Sequence, residues 1–380
     1  MATPGTPKHR LVYQQISQAI KQGDYAAGEK IPPELELGQR FNVSRPTVAR
    51  ALRDLEREGL LVRRPGAGTY VRAIRRSTRE LFGIILPHAE SGICAQFCAE
   101  IAQFADSRNH AMLFGSVPDG GSDIERAEAF CEQFIAREVE GVFFIALELS
   151  AEQMHVNERI VARLAEAGVP VVLLDRDICP FPRRSKLDLI GIENRHAGFV
   201  VTEHLLKLGC RNVHFMDNEW AASTAQARVA GYQEALRAYG IEPRDEIVHR
   251  CDAERHADYV PEMLRREAPD GIVCVSDCYA RSLMHHLAMR GVRIPEDVRL
   301  VSIDDLPFAR TLPVPLTTLR QPIAELAACA VDTLSWRIKH PDAPPRHVQV
   351  GCELVVRRSC GSEGNGKAGC SQGTGEATSS

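Results

Sequence analysis

The 380-residue chain has no apolar run approaching the ~18 residues that a bilayer-spanning helix needs. Residues 1–8 are polar, with Pro and Gly, and lack the apolar segment of a secretory signal. A cytoplasmic protein with no membrane partner is therefore expected. Nucleophile elbow, P-loop and dinucleotide glycine fingerprint are all missing, which makes an enzyme the weaker alternative. No catalytic residue and no cofactor is expected. The twelve cysteines never show the two-residue gap of a zinc knuckle: Cys94/Cys98 and Cys274/Cys278 stand four apart and the others are scattered. In a reducing compartment most are expected to be small buried hydrophobes, with a thiol- or metal-responsive role at Cys94 or Cys98 as the alternative. His285-His286 has no second ligand pair at useful spacing and fits a helix surface, so no metal site is expected. No repeat of solenoid period is present either.

What is present is length and an uneven charge. A chain of this size accommodates two or three domains with real cores. The net charge of −4 hides a split: residues 1–80 hold 15 Lys and Arg against 8 Asp and Glu, a net of +7, which leaves −11 for the rest. A basic head on an acidic body suits a DNA reader with a separate sensing domain, because phosphate neutralisation supplies most nonspecific affinity.

Within the head, residues 41–50 predict a tight turn feeding a helix. Ser44 is suited to cap it by accepting from a first-turn amide, and Pro46 falls where its missing N–H costs little. Val48, Leu52 and Leu55 recur at four and three residues and form a buried stripe. Arg45, Thr47 and Arg50 are left outward at the amino end, the arrangement of a recognition helix or of an ordinary solvated amphipathic helix. The flanks favour the first. Residues 11–20 predict an amphipathic helix stopped at 23–28, and residues 34–41 a short helix burying Leu37 and Phe41. Residues 60–64 and 69–72 predict two strands joined through Pro65-Gly66-Ala67-Gly68.

Three helices followed by such a hairpin make a winged helix-turn-helix. Residues 11–72 resemble the DNA-binding domain of GntR-type transcription regulators through Ile31-Pro32, Val43-Ser44-Arg45-Pro46-Thr47-Val48, Leu55-Glu56-Arg57-Glu58-Gly59-Leu60-Leu61 and Gly66-Ala67-Gly68-Thr69-Tyr70-Val71. The resemblance implies a double-stranded DNA partner and a DNA-binding domain over 1–72. Ser44, Arg45, Thr47, Arg50, Arg53, Arg64, Gly66 and Gly68 are the expected DNA-binding positions. Leu35 and Ala49 depart from the pattern, where arginine is common, so contacts are expected to shift to Arg50, Arg53 or the wing arginines.

Residues 73–80 form a short basic linker. From 81 onward apolar strands and amphipathic helices alternate. Strands are predicted near 81–86, 111–114, 141–145, 169–174, 189–192, 212–216, 271–275 and 298–303, which describes a doubly wound α/β architecture in two lobes. Ligands of such sheets bind beyond the carboxyl ends of the strands. His88, Asp175, Arg176, Glu193, Asn194, the 217–220 segment, Ser276, Asp277, Asp304 and Asp305 all stand there. Carboxylates and arginines in that place can clamp vicinal hydroxyls, while Phe97 or Trp220 covers an apolar sugar face. Any one of them alone would suit a loop or cap; their shared position points to a pocket.

Residues 81–360 resemble the sensing domain of LacI/GalR-type repressors and the related periplasmic sugar-binding proteins. The carrying motifs are Gly168-Val169-Pro170-Val171-Val172-Leu173-Leu174-Asp175-Arg176, Arg228-Val229-Ala230-Gly231-Tyr232, Ser276-Asp277-Cys278-Tyr279-Ala280, Ser302-Ile303-Asp304-Asp305 and Leu316-Thr317-Thr318-Leu319-Arg320-Gln321-Pro322. The resemblance implies that Asp175, Arg176, Arg228, Asp277 and Asp304 sit at ligand-contact positions, with Arg228 as the hydroxyl clamp; with the strand-end residues, the expected effector set is His88, Phe97, Asp175, Arg176, Trp220, Arg228, Ser276, Asp277, Asp304 and Gln321. Ser302, Ser276 and Glu193 depart from the usual glycine, asparagine and aspartate and leave the effector's identity open. The whole chain resembles the arabinose-repressor branch. It implies an N-terminal winged helix-turn-helix plus a two-lobed, doubly wound parallel-sheet, periplasmic-binding-protein-like domain. The expected function is a carbohydrate-sensing, DNA-binding repressor acting as a homodimer on a pseudopalindromic operator. Residues 361–380, rich in Gly, Ser and Thr, are expected to be a disordered tail.

Overall fold

The computed structural model describes residues 8–22, 25, 28–57, 60–64, 68–71, 80–86, 92–115, 122–147, 151–218, 222–251 and 256–362. Gly66, His88 and Trp220, the linker apart from Glu80, and the tail from 363 lie outside the described residues. Two compact units divide the chain, Met1–Arg79 and Glu80–Ser380.

In the first unit α1 (Lys8–Gln22), α2 (Glu34–Arg40) and α3 (Arg45–Arg57) precede a hairpin of β1 (Leu61–Arg64) and β2 (Gly68–Val71). The strands are antiparallel, with Leu61 opposite Val71 and Arg64 opposite Gly68. The α3 stripe of Val48, Leu52 and Leu55 packs with Val12 and Ile16 of α1 and Leu37 of α2. Phe41, expected inside α2, is its C-cap and only half-buried. The turn into α3 passes through Asn42 at φ 51°, and the Val43 amide donates to the Gly38 carbonyl at 3.0 Å. The wing carries a third extended segment that the sequence pattern did not reveal. The Gly28 amide donates to Val71 O (3.0 Å), Val71 to Glu29 O (2.8 Å) and Ile31 to Thr69 O (3.0 Å).

The second unit holds two parallel sheets. The first lobe contains β3 (Leu81–Ile85), α4 (Gly92–Ser107), β4 (Ala111–Phe114), α5 (Asp123–Ala136), β5 (Gly141–Phe144), α6 (Ala151–Glu166), β6 (Val171–Leu174) and β7 (Asp188–Ile192). Next come α7 (Asn194–Lys207), β8 (Val213–Asp217), α8 (Ser223–Ala238), β9 (Val248–Arg250), α9 (His256–Glu267), β10 (Gly271–Cys274), α10 (Asp277–Ala288), β11 (Arg299–Asp304) and β12 (Thr317–Arg320) of the second lobe. The chain then gives α11 (Ile323–Lys339) and β13 (His347–Val350) to the first lobe and returns β14 (Glu353–Val355) to the second. Strand orders are β13-β7-β6-β5-β3-β4 and β14-β12-β11-β10-β8-β9. The chain thus passes between lobes after β7, after β12 and after β13. Fully buried strands such as β5 and β6 explain the continuous apolar runs, since helices cover both faces of a parallel sheet. Polar side chains start the helices: Ser122 forms a capping box with Glu125 on α5, and Ser276 accepts from the Tyr279 amide on α10.

One polar chain crosses the second lobe's core. Asn212 Oδ1 lies 3.1 Å from His214 Nε2, His214 Nδ1 2.8 Å from His249 Nε2, and His249 Nδ1 2.6 Å from the Tyr259 hydroxyl. Burial, with the neighbouring His249 and Arg244, lowers His214 to about 4, and burial lowers His249 too. A histidine kept neutral when folded takes up its proton on unfolding. Stability is therefore full above the unfolded value near 6.5 and falls as pH drops toward 4, by about 1.4 kcal/mol per pH unit for His214, with His249 acting in the same direction. Urea midpoints should decline over that window in the native chain, and His214→Asn should flatten the decline.

Candidate functional site

In the first unit the Ser44 carbonyl accepts the Thr47 and Val48 amides at 2.9 and 3.2 Å, and the Ser44 and Thr47 hydroxyls lie 2.8 Å apart. Arg45, Arg50 and Arg53 are exposed along α3. Arg45 Nε donates to Glu34 Oε2 at 3.0 Å, and Arg64 lies over the Tyr70 ring at 4.8 Å. Gly68 has φ 119°, a conformation that favours glycine. Arg45, Glu34 and Leu35 share a concavity of about 430 Å³ with Lys30, Arg63 and Thr69. Arg63 is one of the expected wing arginines, whereas Lys30 was not expected there; the third strand segment that carries Lys30 has no alternating pattern to announce it.

In the second unit a cavity of about 150 Å³ lies between the lobes at the carboxyl ends of their strands. Asp175 and Arg176 line it from the first lobe, and Asp217, Arg228, Ser276, Asp304 and Gln321 from the second. Asp175, Asp304 and Asp305 adopt φ of 66°, 133° and 58°. Non-glycine residues hold such strained angles only where their surroundings over-determine them, commonly at ligand sites. Asp175 is 3.2 Å from Arg176 Nε. Arg228, only 6% exposed, donates from Nε to Asn194 Oδ1 at 2.9 Å and from Nη1 to the Val275 carbonyl at 2.6 Å. Its Nη2 lies 4.0 Å from Asp304 Oδ1, which accepts from Gln321 Nε2 at 2.8 Å. Burial raises Asp304 to about 7, against the lowering pull of Arg228.

Two expected contacts require correction. Phe97 is 1% exposed and packs with Ile101 in the first-lobe core; Ile93, one turn earlier on α4, lines the cavity instead. The helical stripe that marked Phe97 is a core stripe. Asp277 is fully buried beneath the cleft, where its carboxylate accepts from the Ser302 hydroxyl, from Thr318 Oγ1 at 2.7 Å and from the Leu306 amide at 2.8 Å. It supports the strained 304–306 turn rather than facing the cavity. Glu193 caps α7 by accepting the Arg195 amide at 3.0 Å and lies in a separate surface groove, whereas Asn194 reaches the site through Arg228. Thr224 and Ala225 complete the wall from α8; they were not expected, and small residues at a helix start carry little signal. Burial pushes the Cys94 thiol up to about 12 and that of Cys98 up to about 11, away from the reactive thiolate. Among the described residues no group of three or more His, Cys, Asp or Glu is placed to hold a metal ion.

A recognition helix with a wing, and a two-lobed α/β domain around a charged cleft, define a class of protein: regulators of transcription with a built-in ligand sensor. Residues 8–71 match the model of bacterial regulatory proteins, gntR family, and residues 202–360 that of the periplasmic binding protein-like domain. The chain thus joins a GntR-type helix-turn-helix segment to a periplasmic-binding-protein-like segment, and the curated relatives it matches are regulators of transcription. It is 25% identical over 370 residues to the arabinose metabolism transcriptional repressor of Geobacillus stearothermophilus, covering 93% of this chain and 97% of that one. It is 24% identical over 297 residues to the HTH-type transcriptional repressor PurR of Glaesserella parasuis serovar 5, covering 76% and 83%. The solved complex of the regulator CelR with cellobiose has the same fold, with a TM-score of 0.64 at 22% identity over 83% of this chain and 91% of that one. Among the described residues no helix is long and apolar enough to cross a membrane.

Proposed function

We propose that this chain is a cytoplasmic, homodimeric repressor whose affinity for operator DNA is set by a sugar held in the inter-lobe cleft. The carrying observation is the set of carboxylates and guanidinia around one small cavity: Asp175 with Arg176, and Asp304 with Arg228. Bidentate donors and acceptors at that spacing suit vicinal hydroxyls. The arabinose repressor, which aligns along nearly the whole chain, and the cellobiose complex support a carbohydrate. Closing the lobes on the ligand would shift operator affinity by the ligand's preference for the closed state, typically ~1–3 kcal/mol. A thermal-shift screen of pentoses, hexoses, uronates and sugar phosphates against the full chain tests the sugar, since a ligand of the folded state raises the melting temperature. A hit names the effector class; a silent panel with a cooperatively folded protein sinks the carbohydrate reading.

At the DNA face, Arg45→Ala should weaken operator binding by about 1–3 kcal/mol and relax base discrimination. A mobility-shift titration that left both unchanged would take Arg45 out of the interface. In the cleft, a sugar hydroxyl donating to Asp304 favours its carboxylate, so binding releases a proton whenever the free site is protonated. Effector affinity should therefore rise with pH, by up to about tenfold per unit, and level off above about 7. Calorimetry in buffers of different ionisation enthalpy should detect the proton, and Asp304→Asn should remove the pH dependence.

A further inference from the structure

We infer that Leu35 is a base-reading residue, meeting the C5-methyl group of a thymine in the major groove next to the base that Arg45 takes. The inference rests on the head's reading as a DNA-binding domain and names one base of its site.

Local structure puts Leu35 in water. The segment before α2 runs against β2, where the Ile31 amide donates to the Thr69 carbonyl at 3.0 Å, and Pro32-Pro33 then leads the chain into α2. Leu37 is the buried residue of α2, 1% exposed in the head's core. Leu35 stands two positions earlier, about 200° round the helix, and is 67% exposed.

A single exposed leucine is ordinary on a protein surface. The setting distinguishes this one. Leu35 lines the concavity of about 430 Å³ that Lys30, Arg45 and Arg63 also line. Among the described residues of that lining Glu34 is the one carboxylate, so cations outnumber it three to one. An apolar wall inside a cationic rim suits a base edge that carries a methyl group and is flanked by phosphates. Thymine is the base that presents such a group in the major groove. A space of that volume is roughly 7 Å across, about the rise of two base pairs, so Leu35 and Arg45 meet neighbouring bases.

The rest of the lining leaves this place to Leu35. Glu34 Oε2 accepts from Arg45 Nε at 3.0 Å, and Glu34 Oε1 lies 3.9 Å from Arg63 Nη2. The first bond engages Nε and leaves the two Nη groups for guanine O6 and N7, the commonest specific contact of arginine. A β-carbon at Gly68 would fall 2.5 Å from Lys30 Cε, so the bare backbone there admits the Lys30 stem. Lys30 and Arg63 serve phosphates. An arginine at position 35 would seek guanine or phosphate, whereas leucine gains only from apolar surface. The departure at Leu35 thus exchanges a charged contact for an apolar one.

The test uses the full chain and a pool of duplexes with about 20 random base pairs, from which bound molecules are enriched. Each thymine of the enriched sequence is then replaced in turn by deoxyuridine, which loses the methyl group and keeps the base pairing. At one thymine beside a guanine, affinity should fall about fourfold in the native chain, as expected for one buried methyl group, and not at all in Leu35→Ala. Leu35→Gln, of similar length but polar, should also lose the discrimination, and Leu35→Arg should enrich guanine in place of that thymine. Native chain indifferent to uracil at every thymine would overturn the assignment. A penalty undiminished in Leu35→Ala and Leu35→Gln would overturn it too, because another side chain would then meet the methyl group. In both cases an enriched sequence whose guanine preference falls in Arg45→Ala would leave the head's role intact. A pool that yields no preferred sequence would remove the DNA-reading head and this assignment together.

Discussion

Arg228→Ala should abolish the effector response and lower stability by about 3 kcal/mol while leaving effector-free operator binding near wild type. Its guanidinium serves the Asn194 and Val275 oxygens and faces Asp304, all in a buried site. Hydrogen bonds to a charged group contribute about 1.5–3 kcal/mol each, and breaking a buried pair from one side costs about 3–5. The lower figure applies, because Asp304 already sits near 7 and can take a proton when its partner goes. Response is lost for a further reason: Asn194 opens α7 directly after the first passage between lobes, so Arg228 ties that passage to the second lobe. Arg228→Lys keeps the charge without the planar fork, and should regain part of the stability but not the response. Mobility shifts with and without effector, beside urea unfolding, separate the two effects. A retained response with a lowered midpoint would leave Arg228 a structural residue only.

Gly231→Ala should be more damaging still. Its β-carbon would overlap the Arg195 carbonyl oxygen and lie 2.7 Å from the Phe199 amide. The reciprocal change, Gly198→Ala, would overlap the Arg228 carbonyl oxygen and lie 2.7 Å from its carbonyl carbon. These are backbone atoms of α7 and α8, and no side-chain rotation relieves them. The helices would have to separate, at a cost of about 3 kcal/mol or more. Helix propensity alone has the opposite sign and favours alanine over glycine by about 1 kcal/mol. The direction of the change in urea midpoint therefore decides the matter: a stabilised Gly231→Ala protein would refute the close helix contact. Since Gly198 abuts the backbone of Arg228, its replacement should weaken effector binding as well as folding.

Periodicity made most of this architecture legible. The α3 stripe and the apolar runs of β3, β5, β6 and β10 appear where the pattern places them, because a parallel sheet covered on both faces leaves little choice of residue. The elements that escaped are β9, α9, β12, β13 and β14, and most have a local reason. β13 and β14 are edge strands with exposed residues, β9 is three residues long, and α9 holds Pro261. In the cleft, residues following strands were legible because strand ends converge there. Asp277 follows that rule yet points beneath the site, since as the first residue of α10 it meets the Ser302 and Thr318 hydroxyls from neighbouring strands. Orientation of that kind depends on partners about 25 and 41 residues away, which no local pattern encodes.

The three passages between lobes also dictate an order of synthesis. Neither lobe is a continuous stretch of chain: β13 closes the open side of β7 but is made about 160 residues later, after β8 to β12 of the other lobe. At typical ribosomal rates that delay is on the order of 10–30 s. Throughout it the nascent first lobe presents β7 as an unpaired edge, the kind of surface that seeds strand-to-strand aggregation. Cells making this protein quickly or in excess would meet that hazard first, and shielding of the emerging chain by chaperones would govern its yield more than the stability of the finished fold.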